Sequence, residues 1–304
     1  MTLAAAQVRV PCSTSNLGSG FDTLGLALDR YLHATFEPGG SELDVRRTGT
    51  LARLEEEPER DLLVETFLRG LADGGAPAHG VLRVHSEIPV ARGLGSSAAA
   101  LVAGHDLALA ALRCVADPLA SFRYALGREG HGDNAAPCAL GGLRAVVSGP
   151  DGPRALALEL SPEVGFAYAA PAEAVSTADA RAALPLQVVH HVAVAQLGYL
   201  AALLRGLALG DAELLRVGVT DLLHVPYRLP LIPQGAGAIG AGYEAGAWAV
   251  TISGSGSGLL AMCPTDRTAS VAEAMATVFA GAGDASRCVA FELRPDFEGV
   301  VRVG

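Results

Sequence analysis

The chain has no lysine; all 22 of its Lys and Arg residues are Arg. A Walker phosphate loop needs its Lys to reach the phosphates. A protein kinase needs a strand Lys, and Schiff-base chemistry needs an amine nucleophile. Composition alone excludes all three. Cysteine is scarce as well. Cys12, Cys114, Cys138, Cys263 and Cys288 are odd in number and scattered, without a CxxC pair. That argues against a disulfide framework or a zinc site and fits a reducing cytoplasm. Aromatic residues are 5% of the chain, so Ala, Val and Leu must do most of the packing.

Long apolar runs are missing too. None reaches, uninterrupted, the roughly 18–20 residues of a membrane span. The densest, residues 192–209, is broken by Gln196, Gly198, Arg205 and Gly206 and reads as a buried helix. Residues 1–10 carry one charge and no apolar core, so a secretory signal is not expected there. A net charge of −10 disfavours nucleic acid or an anionic membrane as partner. ATP stays open, because screening acts over about 8 Å and the local field decides.

What is present suits a two-domain globular protein of 304 residues, half of them hydrophobic. Its central stretch is Pro89-Val90-Ala91-Arg92-Gly93-Leu94-Gly95-Ser96-Ser97-Ala98. Gly93 and Gly95 permit tight turns. Ser96 or Ser97 can cap an Ala-rich helix running through Leu112. Successive amides at the positive end of a helix make a cradle for anions, a phosphate above all. An ordinary glycine turn before a buried helix is the plain alternative.

Two further loops share this character. Residues 12–22 follow a predicted strand at 7–11 and hold small polar residues, Asn16 and Asp22. Residues 253–258 read Ser-Gly-Ser-Gly-Ser-Gly between two apolar strands. Between them, Glu129-Gly130-His131-Gly132-Asp133-Asn134 packs polar and turn-forming residues before Pro137. Glu129 is a good hard oxygen ligand for magnesium, which is held through one or two carboxylates plus phosphates. Strands are expected at 24–28, 31–36, 42–47, 81–85 and 143–147. The segment 51–58 reads as acidic and exposed. Residues 232–245 and 264–280 read as helices, and 288–293 as the closing strand. The strand count favours mixed sheets.

Three Gly/Ser loops in this order resemble the GHMP kinase superfamily, whose phosphate-binding motif is matched by Pro89 and by Gly93 to Ala98. Within it, the chain resembles the homoserine kinases. Ser15-Asn16-Leu17-Gly18, Gly20-Phe21-Asp22-Thr23, Glu129-Gly130-His131, Asp133-Asn134, Ser176-Thr177, Arg181 and Pro226-Tyr227-Arg228 carry that likeness. The resemblance implies an α+β, two-domain fold: a ribosomal-protein-S5-like domain, taken as 1–152, and a ferredoxin-like domain, taken as 153–304. It implies ATP-dependent phosphorylation of L-homoserine in threonine biosynthesis. ATP would lie on Pro89, Arg92, Gly93, Leu94, Gly95, Ser96, Ser97 and Ala98. Mg²⁺ would lie on Ser97 and Glu129. Homoserine would lie among Asn16, Asp22, His131, Asp133, Arg181, Arg228 and Gly256, with Asn16, Asn134 and Arg181 nearest the chemistry. A homodimer is the assembly entertained.

Three places depart from the family pattern. Gly132 replaces a Pro and is expected to loosen its loop, Ala178 replaces a Lys, and residues 254–258 replace Gly-Ala-Gly-Pro-Thr. Rival readings are a kinase of the same fold acting on mevalonate or shikimate, and a nucleotide-binding regulator without catalysis. A dinucleotide oxidoreductase fits poorly, since the loop spacing is not Gly-x-Gly-x-x-Gly.

Overall fold

The computed structural model describes residues 2–52, 54, 61–281 and 288–303. Most of the acidic segment at 51–58 therefore lies outside the described residues. In chain order the first half runs β1 (Ala6–Ser15), β2 (Leu24–Pro38), β3 (Leu43–Gly49), α1 (Leu62–Asp73), β4 (Gly80–Ser86), α2 (Ser96–Ala111), α3 (Pro118–Glu129), α4 (Ala135–Leu140), β5 (Leu143–Gly149) and β6 (Gly152–Leu158). The second half runs β7 (Val164–Ala170), α5 (Thr177–Ala182), α6 (His190–Leu209), α7 (Ala212–Gly218), α8 (Val225–Arg228), α9 (Gly235–Glu244), β8 (Ala249–Ile252), β9 (Leu259–Pro264), α10 (Thr268–Ala280), β10 (Val289–Leu293) and β11 (Val301–Arg302).

The first sheet has the order β11-β1-β2-β4-β3, with β5 joined to β2 and β6 to β5. It is mixed as expected, β3 and β4 being its parallel pair. The second, β10-β7-β9-β8, is antiparallel throughout. By hydrogen bonding, β6 and β11 sit with the first sheet, while the proposed domains 1–152 and 153–304 follow chain order. The strand at 288–293 does not close the fold. β11 follows it and pairs with β1, and Arg302 grips Asp106 of α2 through two bonds of 2.9 and 3.0 Å.

Several boundaries differ from expectation for identifiable reasons. The two strands expected at 24–28 and 31–36 are one strand, β2. Its register against β1 shifts where Pro11 faces Tyr31 and Cys12 faces Leu28. A proline cannot donate to the ladder, and the irregularity falls there. β1 itself continues through Ser15, so Ser13 and Ser15 share one face of a strand rather than a loop.

The helix at the glycine stretch is capped by neither serine. Its cap is Gly95, in the left-handed region at φ 62°, with no side-chain capping bond. Behind it α2 is buried along most of its length and packs on β1, β2, α1 and α3. A run of Ala is what such a crowded position admits.

The helix expected at 192–209 forms, but it is not buried. Along α6 only Gln196, Leu203, Gly206 and Leu207 are enclosed, and α7 is its main neighbour. Val194 and Leu197 are more than half exposed, and Leu186 ahead of them is fully exposed. By length and composition alone, His190–Leu209 is apolar enough to cross a membrane.

The start of α1 depends on one side chain. Asp61 Oδ1 accepts from the amides of Leu63 and Val64 at 3.0 and 3.2 Å, and Oδ2 accepts from Arg47 Nε at 2.7 Å. Asp61→Ala is expected to lower unfolding free energy by about 1–2 kcal/mol, and Asp61→Asn to recover most of the cap. Urea unfolding of the three proteins measures both.

Candidate active site

The three small-residue loops converge. Ser253 Oγ donates to Gly93 O at 2.6 Å and pairs with Thr14 Oγ1 at 2.9 Å. Gly254 N donates to Ser15 O, and Ser13 N to Leu94 O, both at 3.2 Å. Contact this close requires glycine. A Cβ on Gly93 would stand 2.0 Å from Ser253 O, and one on Gly95 2.2 Å from Ser13 Oγ. Both glycines also have positive φ.

Between the loops lies a cleft of about 500 Å³. One limb is apolar, walled by Leu51, Leu54, Leu62, Leu63, Val90 and Ala100. Sequence reasoning missed this limb, because isolated leucines in a loop and a helix start carry no motif. The floor is the N-terminus of α2 with Gly93, Gly95, Ser96 and Ser97. The far limb holds Asn16, Asp22, Glu129, His131, Asp133, Asn134, Arg181 and Arg228. Of the expected residues, Arg92 also lines the cleft. Pro89, Leu94 and Ala98 lie behind the wall with buried side chains. Gly256 does not line the cleft, and a Cβ on it would meet Ile232; Gly254 and Ser255 are the third-loop residues that line it.

Glu129 ends α3, where Gly130 turns left-handed, and the chain then doubles back into α4. Its Oε1 accepts from Ser97 Oγ at 2.5 Å. Its Oε2 is shut from solvent and has no hydrogen-bond partner among the described residues. Burial pushes this carboxyl up from its ordinary value, more than the Ser97 bond lowers it. An orphaned carboxylate oxygen beside a hydroxyl, at a helix N-terminus, fits a cation shared with phosphate oxygens. Among the described residues no closed cluster of three metal-binding side chains exists, so a cation here would need ligands from its guest.

The loop 129–134 is hydrogen-bonded within itself, and the space beside Gly132 is filled. A Cβ at Gly132 would press on Leu126 at 2.8 Å and on Phe122 at 3.1 Å, so α3 leaves no room for a side chain there. Asp133 Oδ1 accepts from His131 Nδ1 at 2.8 Å and from Asn134 N at 3.1 Å. That bond to Asp133, opposed by burial, raises the pKa of His131. Asn134 is clamped at both ends of its amide: Ser13 Oγ donates to Oδ1 and Nδ2 donates to Ser15 Oγ, each at 2.9 Å. The alternation Ser13-Thr14-Ser15 was the available signal for these two clamps, once read as strand.

Asn16 is 2% exposed and also engaged at both ends. Its Nδ2 donates to Gly254 O at 2.7 Å, and its Oδ1 accepts from Asp22 N at 2.9 Å. Arg181, from α5, forks onto Asp22 with bonds of 3.0 and 3.1 Å. Arg228 is 2% exposed and pairs with no carboxylate among the described residues. Burial and then the nearby Arg181 lower its pKa. A cation buried without an anion is costly and marks a place for one.

This arrangement defines a class. Residues 61–142 match the GHMP kinases N terminal domain and residues 200–281 match the GHMP kinases C terminal domain. The chain belongs to the GHMP kinase family, and within it groups with the homoserine kinases. It is similar to the homoserine kinase of Moorella thermoacetica, 41% identical over 299 residues, covering 97% of this chain and 98% of that one. The homoserine kinase of Synechococcus sp. strain CC9605 is 38% identical, over 94% of this chain and 93% of its own. The crystal structure of homoserine kinase from Cytophaga hutchinsonii superposes with a TM-score of 0.85 at 27% identity, covering 98% and 97% of the two chains.

Glu129 supplies a test that needs no turnover. Its folded-state pKa is raised above the ordinary 4.5, so its ionised form costs stability. That cost is absent below the unfolded-state pKa and grows as pH rises through the folded-state value. Glu129→Gln is therefore expected to raise the urea midpoint of the ligand-free protein near about pH 7, with the gain fading toward about pH 4. A midpoint that falls at neutral pH contradicts the burial argument.

Proposed function

We propose that this protein transfers the terminal phosphoryl group of ATP to the side-chain hydroxyl of L-homoserine, yielding O-phospho-L-homoserine for threonine biosynthesis, in the cytoplasm. One observation carries the reading. A single cleft joins a phosphate-accepting helix N-terminus to a limb offering both an unpaired buried guanidinium, Arg228, and a carboxylate, Asp22. An amino-acid zwitterion with a free hydroxyl is complementary to that limb. Mevalonate and shikimate bring a carboxylate but no amine.

The adenosine would occupy the apolar limb and the phosphates the amides at Gly95, Ser96 and Ser97. Ser97 and Glu129 would hold Mg²⁺, which supplies charge neutralisation to the phosphates. Arg228 would take the substrate carboxylate and Asp22 its amine, with Arg181 released from Asp22 toward the transferring group.

This reading assigns no side chain as a conventional base. Asn134 is an amide. Asp133 holds His131 and the amide of Asn134 through Oδ1, and Lys is absent from the chain. The substrate hydroxyl then attacks directly, oriented by Asn134 and Asn16, and its proton leaves to phosphate or solvent. Phosphoryl transfer passes through a loose transition state and draws most of its acceleration from positioning and charge.

ADP release measured against homoserine, mevalonate and shikimate checks the substrate. Homoserine is expected to be turned over best, and Ser97→Ala to cut kcat about 100-fold without changing the melting temperature by more than about 2 °C. Faster turnover of either other alcohol rejects the assignment. The pH dependence of kcat checks the chemistry. It is expected to show no limb between about pH 5 and 7 that Asp133→Asn removes.

A further inference from the structure

Arg228 must be aimed without an acidic partner, and the groups that aim it are neutral. Its Nε donates to Ala180 O at 3.1 Å, and NH1 reaches Gly254 O at 3.4 Å. The guanidinium carbon lies 5.1 Å from the Phe21 ring centre. The remaining contact runs from NH1 to His224 Nδ1, at 3.5 Å, one helical turn earlier in the chain.

His224 is fully buried. Its Nε2 lies 3.0 Å from Gly18 O. A carbonyl accepts only, so the ring hydrogen belongs on Nε2 and Nδ1 is left with a lone pair. That lone pair is what NH1 meets. The ring also stacks on Phe21, with centroids 5.1 Å apart and planes 21° apart.

Asp221, the nearest carboxylate, does not compete for this arrangement. Its Oδ2 accepts from the amides of Leu223, His224 and Val225 and stands 3.8 Å from Nε2. Its Oδ1 accepts from Gln196. Burial lowers the pKa of the ring, which keeps it neutral beside the cation. His224 therefore ties the first loop, through Gly18 and Phe21, to the residue that ends α8.

We infer that His224 is a positioning residue for substrate selection. With its tautomer fixed by Gly18 O, its Nδ1 holds the Arg228 guanidinium at the angle that receives the substrate carboxylate. This rests on the reading of Arg228 as the carboxylate partner. A ring that merely filled space would support folding without favouring one substrate over another.

The test compares two amino alcohols, L-homoserine and 3-aminopropan-1-ol, the same molecule without its carboxylate. His224→Gln keeps a donor for Gly18 O but has no acceptor at the Nδ1 position. His224→Asn keeps that acceptor. The Gln variant is expected to raise KM for homoserine about 10-fold, leaving KM for ATP and kcat/KM for 3-aminopropan-1-ol within about 2-fold. The Asn variant is expected to stay within about 3-fold of wild type on homoserine. Equal losses on both alcohols, or a Gln variant matching wild type on homoserine, overturn the inference. Should the Gln variant not fold, the Asn variant decides alone: preserved discrimination between the two alcohols supports the role, and lost discrimination overturns it. Wild-type turnover of homoserine is the control; its absence overturns the proposed function itself, and this inference with it.

Discussion

Everything in the cleft depends on the contact between Gly93 and Ser253. The two residues belong to different sheets' connections, and the bond between them is a side-chain hydroxyl donating to a backbone carbonyl at 2.6 Å. No residue larger than glycine fits at position 93 against that carbonyl-lined wall. Because the loops touch there, the start of α2 opens onto a cavity rather than solvent. The amides at Gly95, Ser96 and Ser97 then face the cleft, and a helix N-terminus of this kind favours an anion. Hydrogen bonds from Thr14, Ser13 and Gly254 continue the same seam, so the floor of the site is set by backbone and small side chains.

The absence of lysine shapes the charged limb. Each cation there is a planar guanidinium that needs several acceptors in a fixed plane. Arg181 finds them in both oxygens of Asp22, and Arg228 finds carbonyls, a ring nitrogen and an aromatic face. A flexible ammonium would satisfy itself with fewer partners and would be less firmly aimed. Both guanidinium groups are thereby held by protein partners. Asn16 and Asn134 add to this, each with both ends of its amide engaged.

Much of this was legible in the residues, and the reason is local. The glycine turn, the Ala-rich α2 and the 129–134 loop announce themselves because positive φ and helix capping are properties of a few neighbouring residues. The misreadings came from what neighbours in space decide. Serine at 96 or 97 looks like a cap, yet Gly95 takes the left-handed cap position against Ser13. α6 looks buried because its composition is apolar, but burial depends on a covering partner, and α7 covers one stripe. The side chains of Phe122 and Leu126 in α3 crowd Gly132, a neighbour in space that its own sequence does not announce. β11 is two residues long and exists only because β1 offers an edge.

The same reasoning separates anchors from reacting groups. A general base needs a free lone pair and room to receive a proton. Asp133 is 2% exposed, and its Oδ1 serves His131 and the amide of Asn134, so that oxygen organises the loop. Glu129 is the opposite case. One oxygen is held by Ser97 and the other is buried with nothing to bind, a situation the fold tolerates at a cost in stability. Structural carboxylates become satisfied as a protein folds. Among the described residues, Glu129 is the carboxylate with a buried oxygen left unsatisfied, and it stands next to the start of α2.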